Sequence, residues 1–526
     1  MVNIRSRLSK LTPKQIAIRL FLTCWLVYGL HFATNTVREI YPALSLGDHF
    51  SFDVSEYLGL HPDIFELPGR GAFINNNPGA SILGAIPYAI TRPVIQRVVD
   101  HFQQVRAASG QPAPEYHSQF PMAQEFYQMA YERGLDVKFG LAAGVMQFFL
   151  MAPLSALGVV VMFYVLLTLT GSNRKAGWLA ILYAFATPLL YRTAQLNQNI
   201  LQAHFAFFAF VLLWQPWKKS NPTNGLTYIL AGLLTGYTLV LDYSGLVIIM
   251  VIGLYVLARQ WVQPVESRSW KNVTLFSLAV GVNIAFLLGY QWIAFGNPIF
   301  PAQHYMPPTT YSGYGFNGMD WPQLDLLWEN AFGMRYGLFL SAPFLILALY
   351  FPSWFPKQRK PGETGLPLRK SFYLGKMETI FILGFTLAFF LFTAANQFSR
   401  MQFNSGVRHV VPVTPFVFLL AAQVLLRLPT WLAVIFGAAA TYWSWCLAMY
   451  RDVELGRGIF ESIIQISTTG PRLPWLETLK NLGLVPNALP AWFFIGLAGI
   501  LIFVVWGFPF TGGMQWLSGQ AKDVAV

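Results

Sequence analysis

Charged residues are scarce in this sequence. They make up 11% of its 526 residues, against about 25% in a typical soluble domain. Hydrophobic residues make up 55%, and the mean hydropathy is +0.46. This balance argues against a soluble enzyme. Repeated apolar runs of about 20 residues, each long enough to cross the hydrocarbon core of a bilayer, instead predict an all-α, polytopic membrane protein.

Several sequence motifs are also missing. Only two cysteines occur, Cys24 and Cys446, and both lie in apolar runs, so no disulfide framework or cysteine metal site is expected. There is no Walker loop, no GxGxxG after a strand and no nucleophile elbow, which disfavours a nucleotide-sugar donor. The net charge of +12 comes from short basic loops rather than from a basic patch interleaved with aromatics. Nucleic acid is therefore excluded as a partner.

The apolar runs predict about 12 transmembrane helices, and the alternating basic loops place both termini on the cytoplasmic side. Residues 1–510 form a single integral membrane domain, and residues 511–526 form a cytoplasmic tail. The predicted location is the inner cell membrane, among membrane lipids. The predicted spans are 17–34, 140–170, 177–192, 199–216, 226–241, 244–259, 274–294, 337–354, 378–395, 410–426, 431–449 and 490–508.

Three long segments, 35–139, 295–335 and 450–489, fall on the exterior side in this topology. The first begins with an acidic stretch, residues 35–78, and continues with two amphipathic helices, 80–102 and 122–133, which we expect to lie on the membrane surface. Ionisable residues are nearly absent from the centres of the predicted spans, so an ion or proton pathway lacks its usual groups. The sequence therefore predicts a functional site at the exterior (periplasmic) face.

This order of elements resembles the GT-C superfamily of membrane glycosyltransferases, which includes protein mannosyltransferases and aminoarabinose transferases. Three segments carry the resemblance: GRGAFINNNPGASILGAIPYAI, FGMRYGLFLSAPFLIL and SGVRHVVPVTPFVFLLAA. The resemblance covers about residues 15 to 427. It implies a GT-C-like fold and an inverting transfer of a sugar from a polyprenyl-phosphate carrier to a lipid, glycan or protein acceptor at the exterior face.

Such a transfer needs a carboxylate that takes the proton of the attacking acceptor hydroxyl. The candidates in the acidic stretch are Asp53, Asp48 and Glu39. Asp53 begins the segment DVSEY and also suits a helix N-cap. Related bacterial chains carry an acid soon after the first helix, where this chain has Asn35. An amide cannot act as a base, so either Glu39 takes this role or activity is lost.

The leaving group would be a lipid phosphate, whose charge requires a cationic partner. Arginine suits phosphate because it is always charged and can bind two oxygens at once. The candidates for binding the phosphate are Arg408, His409, Arg335 and Arg70. For Arg408 and Arg335, the alternative is an interfacial anchor or an ion pair with Glu329 or Asp325.

Four further residues near exterior helix ends are candidates for lining a substrate pocket. Asp242 is costly in so apolar a setting, and Tyr243 follows it. His204 is better explained as a packing residue. His304 lies beside aromatic residues that could stack on a sugar or belong to an interfacial belt.

No cofactor is expected, because no compact set of metal ligands is visible. Only His49 and His61, with the neighbouring acids, offer a place for a divalent metal. Three other functions compete with glycosyl transfer. They are a lipid or polysaccharide transporter or flippase, an O-antigen-ligase-like enzyme, and a catalytically degenerate GT-C-like scaffold, which the asparagine at position 35 would permit.

Overall fold

The computed structural model describes residues 11–34, 37–109, 121–218, 224–355, 374–402, 406–450, 457–482 and 484–507. The chain is mostly helical, with 72% helix and 2% strand, as the sequence predicts for an all-α protein. Asn35 and the predicted tail 511–526 lie outside the described residues. The orientation of the two termini is therefore still a prediction.

The first helix, α1 (Pro13–Leu30), begins at a capping box in which Thr12 and Gln15 bond reciprocally. Short helical turns at Leu189–Arg192 and Leu338–Ser341 accompany the longer helices. The remaining helices are α2 (Ile40–His49), α3 (Gly79–Ser109), α4 (Pro121–Glu132), α5 (Asp136–Thr170, with a π-helical turn at Gln147–Met151), α6 (Asn173–Phe185), α7 (Gln198–Trp214), α8 (Gly225–Leu241), α9 (Gly245–Trp261), α10 (Trp270–Phe295), α11 (Leu324–Phe332), α12 (Lys376–Ala395), α13 (Thr414–Leu425), α14 (Thr430–Met449), α15 (Ile459–Thr469), α16 (Pro474–Asn481) and α17 (Ala491–Gly507).

Four helices of the described ranges, α5, α10, α12 and α14, are long and apolar enough to cross a membrane. Shorter apolar helices accompany them, among them α7, α8, α9 and α17. This composition is compatible with a membrane protein. It shows fewer spans than the 12 that the apolar runs predict.

The predicted span 337–354 is not a continuous α-helix. A helical turn at Leu338–Ser341 gives way to 3₁₀ segments at Pro343–Leu349 and Phe351–Ser353. Ala342 has φ −138° and ψ 76°, because a residue that precedes proline is sterically restricted from the helical region. Pro343 and Pro352 also lack the N–H group that an α-helix would use. The prediction followed the apolar length of this segment and gave too little weight to its prolines.

A β-hairpin, which the sequence analysis did not predict, lies within the acidic stretch. Strands β1 (Ile64–Leu67) and β2 (Gly71–Ile74) pair antiparallel, with Ile64 opposite Ile74. The turn between them contains Pro68 and Gly69, and Gly69 has φ +74°. Proline followed by a glycine of positive φ is typical of a type II turn. This dipeptide is the local signal that could have revealed the hairpin.

The first predicted surface helix exists as α3, which runs through both Pro87 and Pro93 without ending. Its apolar row at Ile86, Ile90 and Val94 is exposed rather than packed on the protein. An exposed apolar row on a helix too polar to span a bilayer suits a position at the membrane interface. The second predicted surface helix corresponds to α4.

The first and last described helices are in contact. Arg19 of α1 is buried, and its Nε donates to the carbonyl oxygen of Val505 in α17 at 3.1 Å. Trp506 donates from its indole nitrogen to the hydroxyl of Thr23 at 2.9 Å. These two hydrogen bonds join the ends of the helical bundle.

Candidate functional site

The candidate site begins with two charged residues, Arg38 and Glu39, just before α2. Arg38 donates from Nη1 to Asp63 Oδ2 and to Asn75 Oδ1, both at 2.9 Å. Asp63 and Asn75 flank the hairpin strands, and Asn75 N donates to Asp63 O at 3.3 Å. The hairpin therefore presents a carboxylate and an amide to the same guanidinium.

Glu39 is almost fully buried, with 2% of its surface exposed. Its Oε1 accepts a hydrogen bond from Asn76 Nδ2 at 2.9 Å and lies 3.5 Å from Arg38 Nε. A buried carboxylate is tolerated only with such partners. The next residue, Asn77, donates to the carbonyl oxygen of Leu239 at 2.8 Å, so the asparagine run also fixes this segment to the end of α8.

Arg408 and His409, predicted to bind phosphate, make up a second part of the candidate site. The backbone N–H groups of both residues donate to Gln402 Oε1, at 2.8 and 3.1 Å. Gln402 in turn donates to Asn330 Oδ1 at 2.9 Å. Gln402 and Asn330 are both buried. A buried amide therefore holds the turn that carries Arg408 and His409.

The charged groups around Arg38 and those around Arg408 act on each other electrostatically. Burial, followed by repulsion from Arg38, lowers the pKa of Arg408, while Glu39 and Asp63 partly oppose this. Burial, followed by the positive charge of Arg408, lowers the pKa of His409 well below its usual value. Burial would raise the pKa of Asp63, but the charge and hydrogen bond of Arg38 outweigh it and hold that pKa below the usual range.

These groups form what we call the polar centre. His61 also belongs to it: burial lowers the pKa of His61, and the charges of Asp63, Arg38, Glu39 and Arg408 reach it. Asp242 acts electrostatically on both Arg38 and Arg408. The polar centre consists of Arg38, Glu39, His61, Asp63, Asp242, Arg408 and His409.

Asp242 ends α8 in a tight turn in which its Oδ1 accepts from Ser244 N at 2.9 Å. Gln202 of α7 donates to the backbone oxygen of Asp242 at 3.2 Å. Tyr243 accepts a hydrogen bond from the amide of Gln291. The carboxylate of Asp242 is therefore held by Ser244 at the end of α8, while the hydroxyl of Tyr243 bonds to α10.

Unused hydrogen-bonding groups lie next to this turn. Gln198 is one helical turn before Gln202 and on the same face of α7. Gln198 is completely buried, yet neither polar atom of its amide has a hydrogen-bond partner. Arg408 Nε and Asn199 Oδ1 are also buried without partners. Buried polar atoms of this kind need an explanation such as water or a ligand.

Asp48, a predicted base, lies in a different cluster. Its carboxylate is 2.8 Å from Arg92 Nε and 2.9 Å from Lys138 Nζ. It also accepts a hydrogen bond from the hydroxyl of Tyr88 at 3.0 Å. Since α2, α3 and α5 each contribute a member, the cluster fastens these three helices together.

Asp53, the third predicted base, is hydrogen-bonded to strand β2 of the hairpin. Its Oδ1 accepts from Ser55 N at 3.0 Å and from Ala72 N at 2.9 Å. Burial would raise the pKa of Asp53, but the hydrogen bonds from Ser55 and Ala72 lower it below its usual value. Gly71 packs against this carboxylate at φ +104°. These contacts give Asp53 a local structural role.

Arg70 and Arg335 are not brought to the polar centre. Arg70 donates from Nη1 to the carbonyl oxygen of Ile293, in the last turn of α10, at 3.0 Å, which suits a cation at a helix C-terminus. Arg335 is exposed. The ion pair that was considered for Arg335 or Arg408 with Asp325 is formed instead by Arg400, at 2.7 Å.

The two remaining candidate histidines pack against neighbouring side chains. His204 is buried, and its Nε2 lies 2.9 Å from the hydroxyl of Ser155. The ring of His304 stacks on Phe300 with centroids 4.5 Å apart. The adjacent Gln303 donates to Asn75 O at 2.7 Å, so the segment that carries His304 borders the hairpin.

The proposed metal ligands do not converge. His49 lies 3.8 Å from Glu56, whereas His61 lies 4.0 Å from Asp63. Within the described residues, no group of three histidine, cysteine or acidic side chains could hold a metal ion.

An apolar groove of about 510 Å³ lies close to the polar centre. Phe139 lines the groove and contacts Tyr41 at a ring distance of 5.5 Å; Tyr41 contacts His61 at 5.9 Å. The groove runs between α3, α5 and α16, and its wall includes Thr34, Phe102, Phe148, Trp475 and Leu479. Two aromatic rings, those of Phe139 and Tyr41, therefore lie between the apolar groove and His61 of the polar centre.

Sequence reasoning did not select Arg38, Asp63 or Gln402. Asp63 was visible as one of the acids in the stretch 35–78, and Arg38 as the neighbour of Glu39. No local pattern marks Gln402, because its partners lie at positions 330 and 408. No protein-family profile, curated protein or solved structure matches the chain, so its function must be argued from this geometry.

Proposed function

We propose that the protein is an integral-membrane glycosyltransferase that moves a sugar from a polyprenyl-phosphate carrier to a lipid, glycan or protein acceptor. The observation that carries this proposal is that the apolar groove and the polar centre are neighbours, joined through the rings of Phe139 and Tyr41. A polyprenyl phosphate needs both surfaces side by side: hydrocarbon contacts for its chain, and cations for its phosphate.

Glu39 is the best-suited general base. It is buried in the polar centre, where it accepts a hydrogen bond from the neutral Asn76 and lies 3.5 Å from Arg38 Nε, farther than the 2.9 Å between Arg38 and Asp63. Asp63 is less suited because Arg38 holds its pKa low, which weakens it as a base. Asp48 and Asp53 are engaged elsewhere by two or more donors each.

In the proposed step, the acceptor hydroxyl loses its proton to Glu39 while its oxygen bonds to the anomeric carbon. The bond from that carbon to the phosphate oxygen breaks, and polyprenyl phosphate leaves with the electron pair. Attack opposite the leaving group inverts the configuration. Arg408, with its unpaired Nε, stabilises the phosphate charge, and the amide of Gln198 suits the hydroxyls of a sugar.

Further details of the sequence analysis belong to the same proposal. The chain would cross the inner membrane about 12 times with both termini cytoplasmic, and the polar centre would open to the exterior. The step proposed here uses no metal or other cofactor.

The test is sugar transfer from radiolabelled polyprenyl-phosphate sugars by the protein reconstituted in lipid nanodiscs. Removing a general base typically costs about 10²–10⁴ in rate, so we expect Glu39→Gln to lose at least about 100-fold. Asp53→Asn is the matched control, since its Oδ1 can still accept the hairpin hydrogen bonds, and it should stay active. Full activity of Glu39→Gln would assign the base elsewhere. Movement of the carrier lipid across vesicles with no sugar transfer would favour a flippase.

A further inference from the structure

Helix α11 lies level with the end of a membrane-spanning helix. Asp320 N donates to Ala395 O at 2.9 Å, and Gln323 N donates to Ala394 O at 3.0 Å. Ala394 and Ala395 are the last residues of α12, one of the four helices long and apolar enough to cross a membrane. A 20-residue helix is about 30 Å long, which matches the hydrocarbon thickness of a bilayer. The segment entering α11 is therefore fixed at the depth where α12 leaves the hydrocarbon.

The two faces of α11 differ sharply. Trp321, Leu324 and Trp328 are 85%, 82% and 62% exposed. Leu324 and Trp328 are four residues apart, which places them on one side of α11, and Trp321 lies in the segment that enters this helix. Leu326 and Asn330, on the opposite side, are completely buried. Trp321, Leu324 and Trp328 thus point away from the protein, whereas the opposite face of α11 is packed against it.

The chemistry of the exposed face selects its partner. Tryptophan favours the layer between hydrocarbon and water, where its ring is apolar and its N–H can still bond. The sequence of α11, LDLLWENAF, contains no lysine or arginine, so attraction to anionic headgroups is not the driving force. Asp325 is paired with Arg400 at 2.7 Å, which reduces the cost of bringing this acid near lipid.

We propose that Trp321, Leu324 and Trp328 form a docking face for the bilayer interface, so that α11 lies flat in the interfacial layer beside α12. The occupant is zwitterionic or neutral lipid, recognised through apolar contact. This proposal stands independently of sugar transfer, because it uses only the position, spacing and exposure of these side chains.

Site-directed labelling tests this docking face. The two native cysteines, Cys24 and Cys446, are buried, so Trp328→Cys can be labelled selectively with an environment-sensitive fluorophore. The labelled protein is placed as single copies in phosphatidylcholine nanodiscs. Glu266→Cys, at an exposed position before α10, is the matched control.

We expect the label at position 328 to be quenched by lipids that carry a nitroxide near the headgroup and to be shielded from aqueous iodide. The label at position 266 should show the reverse. Leu324→Cys must behave like Trp328→Cys, which guards against a local effect of one substitution. Strong iodide quenching at 324 and 328 would overturn the proposal. So would shielding that is absent from single-copy discs and appears only in discs that hold two copies, because that result would identify a second copy of the chain as the occupant.

Discussion

Replacing Gln402 by alanine should destabilise the turn that carries Arg408 and His409. The substitution removes hydrogen bonds to the backbone N–H groups of both residues, to Asn330 Oδ1 and to Ser399 O. Gln402 is buried, so water does not readily replace these bonds. At about 1 kcal/mol for each bond, the four together are worth about 4 kcal/mol.

This free energy can be converted into a melting temperature. An unfolding entropy of about 2.1 cal/mol/K per residue gives about 1.1 kcal/mol/K for the chain of 526 residues. We therefore expect Gln402→Ala to lower Tm by about 4 °C in scanning fluorimetry of the detergent-solubilised protein. Gln402→Glu keeps acceptors for the two N–H groups but buries a carboxylate against Asn330 Oδ1 and Ser399 O, so its Tm should fall at least as far.

The matched control is Gln128→Ala. Gln128 is exposed on α4, where its amide donates to Glu132 Oε1 at 3.1 Å. Exposed substitutions usually change stability by less than about 0.5 kcal/mol, so the Tm of this variant should stay within about 0.5 °C of the wild type. If Gln402→Ala melts no lower than Gln128→Ala, the proposed role of Gln402 in holding the turn is wrong.

Two further predictions concern carboxylates that lie between α1 and α3 in the sequence. Asp48→Asn should lower stability by about 3 kcal/mol, because it leaves the ammonium group of Lys138, whose side chain is 12% exposed, without its buried carboxylate partner. Scanning fluorimetry against Asp53→Asn measures this, and equal melting temperatures would contradict it. Asp63 has a pKa below its usual range in the folded state, so its stabilising contribution is fully present above about pH 5 and is lost as the pH falls through the folded pKa. The difference in Tm between wild type and Asp63→Asn should therefore be constant near neutral pH and shrink below about pH 4, whereas a difference that grows towards acid pH would show the opposite linkage.

The positions of the apolar helices were largely predictable, because the length of an apolar run is a local property of the sequence. The predicted helices 226–241 and 431–449 correspond to Gly225–Leu241 and Thr430–Met449. The prediction of a continuous helix over 337–354 was wrong, because Pro343 interrupts the α-helix. The hairpin was missed because its strands are four residues long and neither shows a strict polar–apolar alternation.

The candidate site was only partly accessible from sequence. Glu39 and Arg408 were selected for their chemical type, and the structure brings them together; their catalytic and phosphate-binding roles stay predictions. Arg38, Asp63 and Gln402 were not selected, because their importance comes from partners that only the folded chain places beside them. Charged side chains near helix ends look alike in sequence, whether they bond a helix end, as Arg70 does, or enter the polar centre.

The hydrogen bond between Arg19 and Val505 has a consequence for the order in which the bundle is assembled. Its partners are 486 residues apart, so almost the whole chain must be synthesised before it can form. At about 5–20 residues per second, α1 exists for roughly 25 to 100 seconds before α17 emerges. A chain that terminates before α17 never makes this contact, and it presents to the cell's quality control a first helix whose arginine lacks its bond to Val505.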